Sequence, residues 1–383
     1  MTTAGAPSTY FPSIDILRGF AAVSMVVYHV IEHYQWTAFP QTGPLSWFRI
    51  GWMSVDLFFV ISGFVIGLSA FSGIDRHGAE GFRRPFIRRR LSRIVPLHYL
   101  TCAVYVFFVA RNLVHEGFLP NALAHALFIH NWFPSLHGAI NGVNWSLGAE
   151  MQFYVLMLVF APWIRITPWW QLALIFTGIA WLWRLGVTVL VPLDSPFKEF
   201  LPFAYATQLP GMLDEFLVGL LLARIVNSER GQAFLAWIGR GTTEALASTL
   251  VVVLVLWGVL SFFWRHASFW DVPHMAVFFR TVLASAFGLV ILVACGLNSE
   301  AWLKVTAPLR YFGTISYGIY LWHLPVLLSW KKWPGIEPAQ ALPLVMACTV
   351  LLSAMSWHAF EKPFIGQFGP PSRHGERLQE DRP

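Results

Sequence analysis

Charge is what this sequence has least of. Only 12% of its 383 residues are Asp, Glu, Lys or Arg, about half the roughly 25% of an ordinary soluble domain. A large soluble all-α core needs charged faces on its outer helices, and the long apolar runs here lack them. Cysteine is scarce too. Cys102, Cys295 and Cys348 lie in separate apolar runs without CxxC spacing, so they read as small buried hydrophobes, outside any disulfide framework or metal site. No Walker A loop, strand-borne GxGxxG or GxSxG elbow is present, which disfavours pumping by ATP hydrolysis and serine-esterase chemistry. The first thirteen residues carry no Lys or Arg, and the first apolar run contains Arg18 and His29. No cleavable signal peptide is therefore expected.

What is abundant is apolar length. The chain is 56% hydrophobic with a mean hydropathy of +0.57. A span needs about 20 mostly apolar residues, and charge-free runs of that order recur at 57–74, 94–110, 166–183, 245–264, 281–299, 311–330 and 338–360. Runs at 14–34, 145–163 and 202–223 are interrupted by acidic or basic residues. The pattern predicts an all-α membrane protein, a polytopic bundle of about ten transmembrane helices.

With an N-terminus in the cytoplasm, ten spans return the C-terminus there as well. The cytoplasmic segments then hold most of the lysines and arginines, including the run from Arg76 to Arg93. The opposite side receives Arg49, Arg111, Lys198, Arg265, Lys331 and Lys332. That bias fits the positive-inside rule. The net charge of +6 thus reflects topology and anionic headgroups and gives no reason to invoke nucleic acid. Many of the 19 tryptophans crowd near span ends, as interfacial belts do. The chain divides into an N-terminal cytoplasmic tail at 1–13, a transmembrane domain at 14–364, and a Pro-, Gly- and charge-rich cytoplasmic tail at 365–383 that reads as disordered. A multi-pass protein of the inner, cytoplasmic membrane is expected.

Within the first span, Arg18 and His29 stand eleven positions apart, roughly 16 Å of helical rise. The arginine would sit near one membrane face and the imidazole near the middle. An ionisable group at such depth is costly and marks a functional site by default, and histidine takes and returns a proton near neutral pH. His29, Glu32 and His33 share a helical face, but HxxEH is not the HExxH zinc motif, and no metal is expected. A core histidine satisfied by hydrogen bonds is the structural alternative.

The run FRRPFIRRRLSRIVPLHY concentrates Arg83, Arg84, Arg88, Arg89, Arg90 and Arg93 at the entrance to the third span. Topology anchoring explains part of it. A phosphate site is the sharper reading, because Arg89 or Arg90 with Arg93 share one helical face and guanidinium forks suit phosphates. Asp56, Glu150, Asp214, Glu215 and Glu361 enter or interrupt spans. Each is a candidate partner for a buried cation such as Arg184 or Arg280, or a carboxylate that orients a histidine or binds hydroxyls. The Gly63–Gly67 spacing fits close helix packing. Tyr317, Tyr320 and His323 bring hydroxyls and a second imidazole into the ninth span.

Taken in order, LRGFAAVSMVVYH, VDLFFVISGF, FIRRRLSRIVP, NWSLGAE, ISYGIYLWH and EKP resemble the motifs of the integral-membrane acyltransferase 3 family, over nearly the whole of 14–364. The resemblance implies transfer of an acyl group, usually acetyl from acetyl-coenzyme A, to a sugar hydroxyl of an envelope or secreted glycan. It implies His29 as the catalytic residue, as general base or acyl carrier, and Glu150 and Glu361 as catalytic carboxylates. Arg18, Arg89, Arg90 and Arg93 would serve the acyl-coenzyme A donor. Asp56, Ser62, Asn144, Trp145, Tyr320 and His323 would bind or support the acceptor. The implied partners are acyl-coenzyme A, a glycan acceptor, the lipid bilayer and other envelope-glycan biosynthesis proteins, with no permanently bound cofactor. Some family members carry an extra esterase-like domain; this chain stops after its tenth span, so a second-stage transferase would be another protein. Two rival readings remain: a secondary transporter using the intramembrane carboxylates and histidines as a proton relay, and a flippase-like or polysaccharide-binding assembly partner. No related halves of the transporter kind are visible.

Overall fold

A computed structural model describes residues 10–114, 117–191, 199–266 and 269–368. These residues form helices and turns, as they must where no water can satisfy the backbone. In chain order the helices are α1 (Pro12–His33), α2 (Ser54–Gly81), α3 (Arg83–Val104), α4 (Phe118–Ala126), α5 (Trp145–Ile166) and α6 (Trp169–Leu190). Then follow α7 (Phe200–Ala206), α8 (Leu209–Asn227), α9 (Glu229–Ile238), α10 (Thr242–Trp264) and α11 (Pro273–Gly296). The last are α12 (Glu300–Val305), α13 (Ala307–Thr314), α14 (Ser316–Lys331), α15 (Pro338–Ser356) and α16 (Lys362–Phe368).

Among the described residues, 8 helices are long and apolar enough to cross a membrane, built on α1, α2, α3, α5, α6, α10, α11 and α15. Two more helices, α8 and α14, are deeply buried against them. The first carries three charged residues, Asp214, Glu215 and Arg224, and the second is only 16 residues long. Together they supply one helix for each of the ten expected spans. The protein is an all-α polytopic membrane protein.

The apolar runs locate the spans but not their ends. A helix needs continuous backbone hydrogen bonds, and these persist past the last apolar residue. α3 therefore starts at Arg83 and takes the whole arginine run into its first three turns, where the sequence pattern opens the span at residue 94. α2 runs on to Gly81 through a break at Gly78, whose φ of 72° suits glycine. α1 begins at Pro12 and α16 reaches Phe368, inside the expected tails; residues 1–9 and 369–383 lie outside the described residues.

Burial sorts the helices into an inner and an outer set. α1, α2, α8, α11 and α14 form the inner set, whereas α10 turns Leu246, Leu250, Val251, Leu254 and Trp257 outward. An apolar face without a protein neighbour is what lipid requires. Small residues let the inner helices meet closely. A Cβ on Gly63 of α2 would collide with the Phe216 carbonyl oxygen of α8, and one on Gly67 would meet Ala223 at 2.9 Å. Gly219 returns the contact against the Val60 carbonyl. The Gly63–Gly67 spacing is thus a helix-contact stripe. Gly19 of α1 and Gly313 of α13 repeat the arrangement.

Two buried ion-pair sets join helices far apart in sequence. Arg184 of α6 donates to Asp214 of α8, with Thr281 of α11 bonded to the same carboxylate oxygen at 2.5 Å. Arg280 of α11 donates to Asp56 of α2 and lies 3.8 Å from Glu215 of α8. Breaking a buried pair by removing one partner costs about 3–5 kcal/mol, so these contacts fix α2, α6, α8 and α11 relative to one another.

Candidate active site

The centre of the site is a histidine pair. His29 Nδ1 lies 3.0 Å from His323 Nε2 and 3.1 Å from the Met25 carbonyl one turn back. His323 is fully buried, and its Nδ1 is 3.1 Å from the Ile319 carbonyl. A carbonyl only accepts, so His323 Nδ1 carries a proton, and its neutral ring offers Nε2 as an acceptor. The shared hydrogen therefore sits on His29 Nδ1, which leaves His29 Nε2 with its lone pair free for proton transfer or nucleophilic attack. Sequence puts the two imidazoles 294 positions apart; the packing of α14 on α1 brings them together. His29 stands one turn from the C-terminal end of α1, further along the helix than the expected midpoint. Glu32 and His33 follow within that last turn. Among the described residues no three His, Cys, Asp or Glu side chains are grouped to hold a metal ion.

Nearer the N-terminal end of α1, a cavity of about 100 Å³ is walled by Arg18, Arg90, Arg93, Ser62, Glu150 and Tyr317, with aromatic and apolar neighbours. Arg90 and Arg93, three residues apart, present one face of α3 to it. Arg90 packs over the rings of Phe86 and Tyr154 at 5.7 and 5.6 Å, and its Nε is buried with no hydrogen-bond partner. Arg18 has Asp15 at 3.8 Å. Glu150 is already engaged: its Oε1 accepts from Ser62 Oγ at 2.7 Å and from Tyr154 OH at 2.6 Å. Among the described residues no carboxylate stands within ion-pair distance of Arg90 or Arg93, so the cavity holds surplus positive charge suited to an anion. Arg89 is exposed and does not line this cavity.

Further along α1 a second cavity, of about 510 Å³, contains His29. Its walls are mostly aromatic, with Tyr28, Trp52, Trp145, Phe203 and Trp270 among them, and Asp56, Glu199, Asp271 and Arg280 supply charge. The two cavities share Val55 and Tyr320. Tyr320 is pinned there, its hydroxyl 2.8 Å from Ser146 Oγ and 3.0 Å from the Val143 carbonyl, and its ring lies edge-on to Phe58.

The remaining expected residues take distinct places. Asp56 borders the larger cavity but is the ion-pair partner of Arg280, a role the sequence also allowed. Asn144 lines neither cavity. It holds the start of α5, donating from Nδ2 to Cys102 Sγ at 3.3 Å and to the Ile140 carbonyl at 3.2 Å. Trp145 is a wall of the larger cavity. Glu361 lies away from His29, in the π-helical turn Trp357–Glu361 that continues α15, where it accepts from Ser356 Oγ at 3.0 Å and feels the charge of Arg93. The loop before α5 carries buried histidines whose protonation is opposed by burial: His130 is pushed down to about 3 and His137 to about 4. His137 stacks on Trp145 with centroids 5.9 Å apart. Sequence reasoning did not single out Val55, Phe58, Ser146, Tyr154 or Glu199. Only Tyr154 had a local signal, four residues after Glu150 on one helical face.

Comparison with known proteins agrees with this architecture. The family model described as an acyltransferase domain matches residues 11–358. The peptidoglycan O-acetyltransferase OatA of Listeria monocytogenes is 26% identical over 92% of the chain and 56% of its own length. The O-acetyltransferase OatA of Staphylococcus aureus is 24% identical over 92% of the chain and 57% of its own length. The chain thus spans little more than half the length of these relatives. No solved structure matches it significantly. With the family model covering nearly all of the described helical bundle, this chain belongs to the integral-membrane acyltransferase 3 family.

Proposed function

We propose that the protein is an O-acyltransferase of the inner, cytoplasmic membrane that moves an acetyl group from acetyl-coenzyme A to a sugar hydroxyl of an envelope glycan. The observation that carries this reading is the pair of cavities meeting at Val55 and Tyr320, one lined by Arg18, Arg90 and Arg93 and the other containing His29. The lysine and arginine bias sets the arginine end in the cytoplasm, where coenzyme A is available. Arg18, Arg90 and Arg93 bind its phosphates by charge-assisted forks. The pantetheine arm then follows α1 for the roughly 16 Å of helical rise between Arg18 and His29. The acceptor enters the larger cavity from the other side. The relatives' names make peptidoglycan the first acceptor to try, and other envelope-glycan proteins are the expected partners.

His29 Nε2 takes the proton of the acceptor hydroxyl as its oxygen attacks the thioester carbonyl. The tetrahedral intermediate collapses by breaking the C–S bond, and the same imidazolium returns the proton to the departing thiolate. An ester and a free thiol result. His323 stabilises the imidazolium by accepting from Nδ1, the orienting part that a carboxylate plays in a hydrolase triad.

Purified protein in nanodiscs, given acetyl-coenzyme A, should release thiol faster when an extracted envelope glycan pool is added. In His29→Ala that stimulated release should fall by about 10²–10⁴-fold, with the protein still inserted and folded. Full activity in His29→Ala would remove the histidine from the mechanism. Absence of donor binding and of thiol release in the wild type would end the transferase reading.

A further inference from the structure

The cavity around His29 differs in charge from the arginine cavity, and the difference bears on what enters it. We infer that this cavity is a subsite for a short glycan segment without negative charge, a neutral or amino sugar, and that it excludes uronates and phosphate-bearing sugars. The inference rests on the transferase reading and narrows its acceptor. A volume of about 510 Å³ falls in the range of small-molecule sites, about 300–1,000 Å³, which is room for a disaccharide-sized segment. Tyr28, Trp52, Trp145 and Trp270 offer flat amphipathic faces for the C–H sides of pyranose rings.

The charged groups set the selectivity. Glu199, Asp271 and Asp56 border the cavity against the single guanidinium of Arg280, and that guanidinium is already held by Asp56 with Glu215 behind it. Beyond His29, Glu32 adds a further carboxylate whose field reaches Glu199. Arg49, a cation whose field reaches it, is committed to the carbonyls of Trp36, Thr37, Phe39 and Pro40. Carboxylates accept hydrogen bonds from sugar hydroxyls and attract ammonium groups. A second carboxylate or a phosphate brought among them meets like charge in a partly desolvated site. The two cavities thereby sort the two substrates: a polyphosphate fits only the arginine side, and a glycan without negative charge fits the histidine side.

The test is acetyl transfer in nanodiscs at low salt to three tetrasaccharides: chitotetraose, its de-N-acetylated form and tetragalacturonate, with products read by mass spectrometry. The first two should exceed the uronate in kcat/KM by tenfold or more. Glu199→Lys should narrow that ratio several-fold without changing KM for acetyl-coenzyme A. Equal or better use of the uronate, or a ratio indifferent to Glu199→Lys, overturns the inference while leaving the transferase reading intact. If no acceptor consumes acetyl-coenzyme A, the same sugars are titrated against tryptophan emission of the wild type and Trp270→Phe. Binding confined to the two non-anionic sugars and altered in Trp270→Phe keeps the subsite and sinks the transferase reading. Binding of the uronate, or of none, overturns the subsite.

Discussion

Arginines drawn into the interior of this bundle include two kinds. Arg184 and Arg280 each have a dedicated carboxylate, Asp214 and Asp56, on another helix, with side chains no more than 4% exposed. Arg18, Arg90 and Arg93 border a cavity, and the carboxylate beside them, Glu150, is occupied by Ser62 and Tyr154. The same side chain thus does two jobs in one membrane protein, and its partner decides which. A guanidinium with its own carboxylate is a staple. Arg90 and Arg93, which among the described residues have no carboxylate within ion-pair distance and face a cavity, would suit an anion supplied from outside.

The comparison breaks most readily at the staples. Arg184→Ala leaves Asp214 buried and unpaired, so the unfolding midpoint in detergent should fall by an amount worth about 3–5 kcal/mol, and adding Asp214→Ala should recover much of it. An unchanged midpoint would mean that Arg184 is no staple. Next comes the receptor set. Arg90→Ala should raise KM for acetyl-coenzyme A by roughly 10- to 100-fold, the loss of a charged hydrogen bond, with little change in the midpoint. Arg89→Ala, on the exposed face of the same helix, should change KM by less than about twofold. Equal effects at 89 and 90 would return the whole run to topology anchoring.

The smallest effect is one of pH. Burial holds His130 down to about 3 and His137 to about 4, while an unfolded chain takes up those protons near 6.5. The unfolded state therefore binds more protons as pH falls, and stability present above about 6.5 should decline toward 3–4. Thermal unfolding at pH 7.5 and 5 should show this decline, and His130→Asn should lessen it.

How much of this was legible in the sequence follows from what each feature depends on. Hydropathy depends on local composition, so ten spans were readable, and so were the Gly63–Gly67 stripe and the Arg18–His29 spacing. Helix ends were less so, because the arginines of α3 are polar yet helical. Partnerships across the chain were not readable: Asp56 with Arg280 and His29 with His323 are joined only by packing. Motif membership also says nothing of position. Glu361 belongs to a recognisable EKP, yet it sits in a π-helical turn near Arg93 and away from the histidine pair.

The wall formed by Val55 and Tyr320 has a consequence for the cell as well as for the reaction. Val55 and Tyr320 stand between the two cavities, and a continuous watery path through a membrane-spanning bundle would leak protons and ions. Tyr320 is tethered by its hydroxyl at one end and packed edge-on against Phe58, so the partition is built from a side chain with little room to move. Under the proposed transfer, the thioester would have to pass the same side chain that separates the two cavities.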